Sequence, residues 1–162
     1  SKHIYVPHVP MRATTTKTTS DMAFYELKSI WQYEIEMNTS NKFGLKQFNQ
    51  VDHLTKVDPA LFDLVIVPGL AFDQEELCVD ENIVERRRRI KRLGRGKGYY
   101  DRFLAQLNPN AKTIGIGFNQ QFVPSIRSLL MNELSIKSVP VDAKRDFNLD
   151  EFVCESLINK NE

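Results

Sequence analysis

Residues 92–101 read Arg-Leu-Gly-Arg-Gly-Lys-Gly-Tyr-Tyr-Asp, and this run constrains the fold more than any other part of the chain. Gly94, Gly96 and Gly98 allow backbone angles that a Cβ forbids, so main-chain N–H groups there can turn toward a ligand. Arg95 and Lys97 stand between them, one matching phosphate oxygens as a fork and the other as a point charge. Beyond the glycines, Tyr100, Phe103, Leu104 and Leu107 fall at helical spacing. A glycine-rich loop that feeds a helix is a ready anion site. The spacing matches neither common phosphate loop. A Walker A loop has Ser or Thr directly after its Gly-Lys pair, whereas Gly98 and Tyr99 follow Lys97 here. A dinucleotide fingerprint has two residues between its second and third glycines, and here there is one. A glycine-rich strand-to-helix turn on a solvated basic face is the plainer reading of the same residues.

The rest of the chain supplies strands and helices to flank this loop. Residues 61–67 are almost continuously apolar, as in a strand buried on both faces, and Pro68-Gly69 then turns the chain. Residues 2–9 and 22–27 read as earlier strands, with the polar, low-complexity stretch 12–20 between them. The pattern predicts helices over 99–107 and 123–134, a strand over 113–118 and a short closing strand over 151–154. The two glycines of the 113–118 strand suggest a close backbone approach. Strands alternating with helices imply one α/β domain over residues 1–162, an open and mostly parallel sheet flanked by helices in a Rossmann-like arrangement.

Composition excludes more than it proposes. A chain of 162 residues that is 41% hydrophobic and 27% charged reads as an ordinary globular domain. Its net charge of +1 gives no global field for nucleic acid or membrane. Yet nine of the 22 basic residues lie between Arg86 and Arg102, which suits a local anionic ligand. No apolar stretch approaches the roughly 18 residues of a membrane span. His3, His8 and His53 lack metal-ligand spacing, and Cys78 and Cys154 form no Cys-x-x-Cys pair, so free thiols in a reducing compartment, the cytoplasm or a mitochondrion, are expected.

The full decapeptide is far more specific than its spacing. It resembles the signature of the 5-formyltetrahydrofolate cyclo-ligase (5,10-methenyltetrahydrofolate synthetase) family. Other segments agree in order. Residues 63–73, Asp-Leu-Val-Ile-Val-Pro-Gly-Leu-Ala-Phe-Asp, resemble the family's buried strand and its Pro-Gly turn. Residues 115–121, Gly-Ile-Gly-Phe-Asn-Gln-Gln, resemble the strand and Gln that follow the signature helix. Val139-Pro140, Asp146 and Asp150 resemble the C-terminal pattern, and residues 4–7 and 41–44 fit earlier family strands more weakly. The resemblance covers nearly the whole chain, most strongly residues 62–155. Residues 75–91 resemble an insertion where the family has a short hairpin, acidic first and basic second. A solvated hairpin arm is the favoured reading of it, with Arg86 to Arg89 as a nucleic-acid or targeting patch the alternative. By this resemblance the sequence is expected to be N-terminally incomplete, looking like the family without its opening helix-strand-helix, which carries ATP- and folate-binding residues.

This resemblance implies a cyclo-ligase fold and an ATP-dependent ring closure. 5-Formyltetrahydrofolate becomes 5,10-methenyltetrahydrofolate, with release of ADP and phosphate. It implies ATP contacts along Arg92, Leu93, Gly94, Arg95, Gly96, Lys97, Gly98, Tyr99 and Tyr100, and folate contacts at Arg95, Lys97 and Tyr99. Arg95, Lys97, Tyr99 and Tyr100 take the catalytic roles, while one of the two tyrosines is expected to pack in the core. Asp101 and Asp146 become the Mg²⁺ ligands. For Asp146 alone, a salt bridge with Lys144 or Arg145 is the simpler role. The expected partner is the folate, with or without a polyglutamate tail, bound by a cytoplasmic monomer or weak homo-oligomer, with neither membrane nor nucleic acid. Two other readings stay open: a catalytically idle relative that binds nucleotide or RNA, and a paralogue in another salvage pathway such as thiamin metabolism.

Overall fold

A computed structural model describes residues 2–9, 22–39, 44–75, 89–132 and 148–155. The chain divides into two compact units, Ser1–Leu61 and Phe62–Glu162.

In the first unit, β1 (Tyr5–His8) pairs antiparallel with β2 (Ala23–Glu26), Tyr5 opposite Glu26. Helix α1 (Ile30–Ile35) follows, then the two-residue strands β3 (Met37–Asn38) and β4 (Gln47–Phe48), also antiparallel. Ala23, Tyr25, Met37 and Phe48 form the core, with Val6, Leu27, Val51 and Leu54 packed around them. Helix α1 is inside out by composition. Ile30, Trp31 and Ile35 are exposed, while Gln32 is buried. Burial of Gln32 is tolerated because its amide is satisfied: Oε1 accepts from Lys28 N at 2.9 Å, and Nε2 donates to Glu36 Oε2 at 3.1 Å. Ser29 caps the helix, its Oγ accepting from Gln32 N at 3.1 Å.

The second unit carries the glycine-rich loop. Strand β5 (Leu64–Pro68) runs to the Gly69 turn, and β6 (Ala71–Glu75) pairs antiparallel with β7 (Arg89–Leu93). The loop follows, then α2 (Tyr99–Leu104), β8 (Lys112–Ile116), α3 (Ile126–Asn132) and β9 (Glu151–Val153). Strands β5, β8 and β9 form a parallel sheet with β8 at its centre. This is an α/β arrangement consistent with a Rossmann-like layout. Outside that sheet the paired strands among the described residues are antiparallel, and one isolated parallel bridge joins Phe72 to Phe122.

Several boundaries differ from the sequence pattern, each for a local reason. Strand β5 is not buried on both faces: Val65 and Val67 are buried, while Leu64 and Ile66 are exposed. Helix α2 stops at Leu104, and tighter bonds from Gln106 N to Phe103 O and from Leu107 N to Leu104 O finish the turn before Pro109. Helix α3 starts at Ile126 rather than Val123. Val123 N donates instead to Phe72 O at 2.8 Å, and Ile126 N donates to the buried carboxylate of Asp73 at 2.7 Å. The expected insertion falls mostly outside the described residues, which include only its ends, in the hairpin strands β6 and β7.

The core is built around Phe72, which is fully buried. Its ring lies 4.6 Å from that of Phe152, which stacks on Phe122 at 5.1 Å. The close approach expected from Gly115 in β8 and Gly117 just after it is made by the protein itself. A Cβ on Gly115 would stand 2.7 Å from the Phe72 ring, and one on Gly117 would stand 2.8 Å from Gln121 Oε1. Gln121 ties two turns together, accepting from Phe118 N and donating to Gly69 O, both at 2.8 Å. Asp150 fastens β9 to β8, its Oδ2 accepting from Thr113 N and Oγ1 at 2.7 Å each.

Candidate active site

The loop from Gly94 to Gly98 joins the end of β7 to the start of α2. Its glycines serve different needs. Gly96 and Gly98 hold φ of +76° and +66°, the left-handed region that side chains rarely adopt. Gly94 is needed for space, because a Cβ there would lie 2.8 Å from Arg92 Nη1. Beside a Cβ on Gly96 there is nothing within 4 Å, so the middle of the loop faces open space.

Arg92, Gly94, Arg95, Lys97, Gly98, Tyr99, Tyr100 and Asp101 line a small open pocket of about 70 Å³. The fold therefore gathers most of the residues expected from the sequence. Arg95 and Lys97 are exposed at its rim. Leu93 and Gly96 belong to the same segment without lining the pocket. Asp146 lies outside the described residues, as do Val139 and Pro140.

The neighbours of the loop are tied to it. Arg92 Nη2 donates to Asp101 Oδ1 at 2.6 Å, and Nη1 reaches Pro68 O at 3.4 Å. The Arg92 side chain is only 5% exposed, and that of Asp101 is 27% exposed. The Arg92 guanidinium carbon lies 5.5 Å from the centre of the Tyr100 ring. Burial pushes the Tyr100 phenol above its ordinary pKa, and the Arg92 charge partly opposes that. Burial thus favours the neutral form of the Tyr100 phenol. On the other side, Arg102 Nη1 donates to Lys97 O at 3.1 Å while its guanidinium lies 5.3 Å from the centre of the Tyr99 ring. The sequence reading missed Arg102. Its signal was the spacing: four residues after Gly98, one helical turn on, it can reach back to the loop.

A Mg²⁺ ion accepts one or two carboxylates and completes its shell with water and phosphate. Asp101 fits that limited demand. Its Oδ1 is paired with Arg92, and its Oδ2 lies on the loop side, 4.0 Å from where a Gly98 Cβ would sit. Among the described residues no cluster of three His, Cys, Asp or Glu side chains could hold a metal by itself.

This chain is similar to curated 5-formyltetrahydrofolate cyclo-ligases. It is 25% identical over 178 aligned positions to a probable 5-formyltetrahydrofolate cyclo-ligase of Schizosaccharomyces pombe, covering 95% of this chain and 74% of that protein. A Mus musculus 5-formyltetrahydrofolate cyclo-ligase is 31% identical over 93 positions, 57% of this chain and 34% of its own. The mitochondrial 5-formyltetrahydrofolate cyclo-ligase of Arabidopsis thaliana is 33% identical over 100 positions, 62% of this chain and 31% of its own. The chain thus matches most of the fission-yeast cyclo-ligase and about a third of the other two. No family model matches it. Among the described residues, no helix is long and apolar enough to cross a membrane.

Proposed function

We propose that this chain belongs to the cyclo-ligase family and catalyses ATP-dependent closure of 5-formyltetrahydrofolate to 5,10-methenyltetrahydrofolate. One observation carries the reading. Exposed Arg95 and Lys97, the half-buried Tyr100 and the Asp101 carboxylate meet around a glycine loop with open space at its centre.

The chemistry needs such a set. A formyl oxygen is a poor leaving group until it is phosphorylated. Transfer of the γ-phosphoryl of ATP to that oxygen makes an iminophosphate, which N10 attacks as phosphate departs. The protein's work is positioning and charge neutralisation rather than covalent catalysis. Arg95 grips phosphate oxygens as a fork, and Lys97 offsets the charge that builds during transfer. Gly96 admits the phosphates to the backbone, and Tyr99 and Tyr100 donate hydrogen bonds from the pocket wall. Asp101, together with Asp146, would hold Mg²⁺, which would supply positive charge to offset that of the phosphates. The cytoplasm is the compartment proposed, and the folate the partner.

The full chain incubated with 5-formyltetrahydrofolate and Mg-ATP is expected to generate the ultraviolet absorbance of the methenyl product, dependent on ATP. No product at any protein concentration overturns the reading. Tight ATP binding without product would instead mark an idle relative of the family.

A further inference from the structure

Resting on that reading, we infer that Arg92 is a positioning residue for Asp101 rather than a ligand of the ATP phosphates. Arg92 lines the loop pocket, yet its guanidinium is engaged by the protein. Nη2 is spent on Asp101 Oδ1 at 2.6 Å, and Nη1 is directed at Pro68 O at 3.4 Å. The side chain is 95% buried, since only 5% is exposed. It also fills the gap under two glycines: a Cβ would meet Nη1 at 2.8 Å from Gly94 and Cγ at 3.1 Å from Gly69. Its Nε is buried and has no hydrogen-bond partner among the described residues, so it is enclosed by protein rather than presented to solvent.

Phosphate ligands of this loop are better sought at the exposed Arg95 and Lys97. What Arg92 does control is the aim of Asp101. By holding Oδ1, it fixes the carboxylate so that Oδ2 alone is presented on the side of Gly98. A Mg²⁺ ion with phosphate and water ligands needs one such oxygen in a fixed direction. Partners that orient a metal-binding side chain typically cost about 10–100-fold in metal affinity when they are replaced.

The test separates metal from phosphate. Binding of a non-hydrolysable ATP analogue is measured by calorimetry, in EDTA and in Mg²⁺, for the wild type, Arg92→Lys and Arg92→Gln. Metal-free affinity is expected to stay within about twofold in the variants, while the gain in affinity on adding Mg²⁺ shrinks about 10–100-fold. A metal-free affinity reduced tenfold or more makes Arg92 a direct phosphate ligand and overturns the inference. So does a lower thermal midpoint with both affinities intact, which makes Arg92 a packing residue only. If neither variant folds, Arg92 belongs to the core and the inference fails. A wild type that binds the analogue under neither condition removes the cyclo-ligase reading itself. Loss of the Mg²⁺ gain with analogue binding intact supports the inference.

Discussion

At Gly115 the backbone lies against the Phe72 ring, and a Cβ there would stand 2.7 Å from it; at Gly96 a Cβ would meet nothing within 4 Å. The two positions belong to the same unit and read alike in the sequence, each a glycine between side-chain-bearing neighbours. At Gly115 the missing side chain has already been replaced by a neighbour from the protein. At Gly96 the space is open and the backbone angle is left-handed. Glycine is thus a packing device around Phe72 and a means of exposing backbone in the loop. The first should be sensitive in stability, the second in ligand affinity and turnover.

Lys97→Ala should draw this line most sharply. An exposed loop lysine supports little packing. Loss of one electrostatic stabiliser of a transition state typically costs about 10²–10³ in rate. Turnover is expected to fall by that factor while the thermal midpoint barely moves. Parallel losses of activity and stability would place the loop with the packed region and erase the distinction.

The converse variant is Gly115→Ala. Forcing a methyl group against Phe72 and Leu149 should cost about 1–3 kcal/mol of stability, as overpacking usually does. Turnover per folded molecule should be kept. Chemical denaturation beside an assay corrected for folded fraction would measure both. A neutral substitution would mean that Phe72 gives way easily and that the close approach is not a constraint.

Asp101→Asn probes the edge of the loop. The amide keeps an oxygen for Arg92 but loses the charge that draws a metal. The Mg²⁺ concentration for half-maximal activity is expected to rise about tenfold, the scale of about 1.4 kcal/mol of lost metal affinity. A carboxylate that only complements the first turn of α2 would instead cost about 0.3–1 kcal/mol of stability and leave the Mg²⁺ titration unchanged.

What was legible in the sequence follows the same division. The loop, the strands β5 and β8 and the start of α2 could be read because glycine spacing and apolar periodicity act locally. The close approach at Gly115 was legible too, though not its partner, since Phe72 comes from a distant turn of the chain. The pairing of Arg92 was not legible for the same reason: the resemblance places it among the ATP contacts, and nothing local in the sequence signals its bond to Asp101. Only the hairpin pairing that sets it opposite Phe72, together with the placement of Asp101, encloses its guanidinium. Helix α1 was not legible at all. Its six residues bury Gln32 and expose Ile30, Trp31 and Ile35, which reverses the pattern from which helices are read.

Tyr100 sits across the divide, a half-buried residue of α2 that also lines the loop pocket, and it yields the smallest expected effect. Burial raises its phenol pKa, with the Arg92 charge pulling the other way. A raised pKa means that the folded protein holds the phenolic proton more tightly than the unfolded chain does. The contribution is therefore complete below the ordinary tyrosine value of about 10, and it is lost as pH rises through the folded value. Tyr100→Phe keeps the ring over which Arg92 lies and removes the titrating group. The unfolding midpoint of the wild type should then fall more steeply as pH rises above about 10 than that of the variant. The remaining tyrosines are common to both proteins and drop out of the difference. Equal slopes would show that the phenol titrates as in water, which would assign Tyr100 to the open side of the comparison with Arg95 and Lys97.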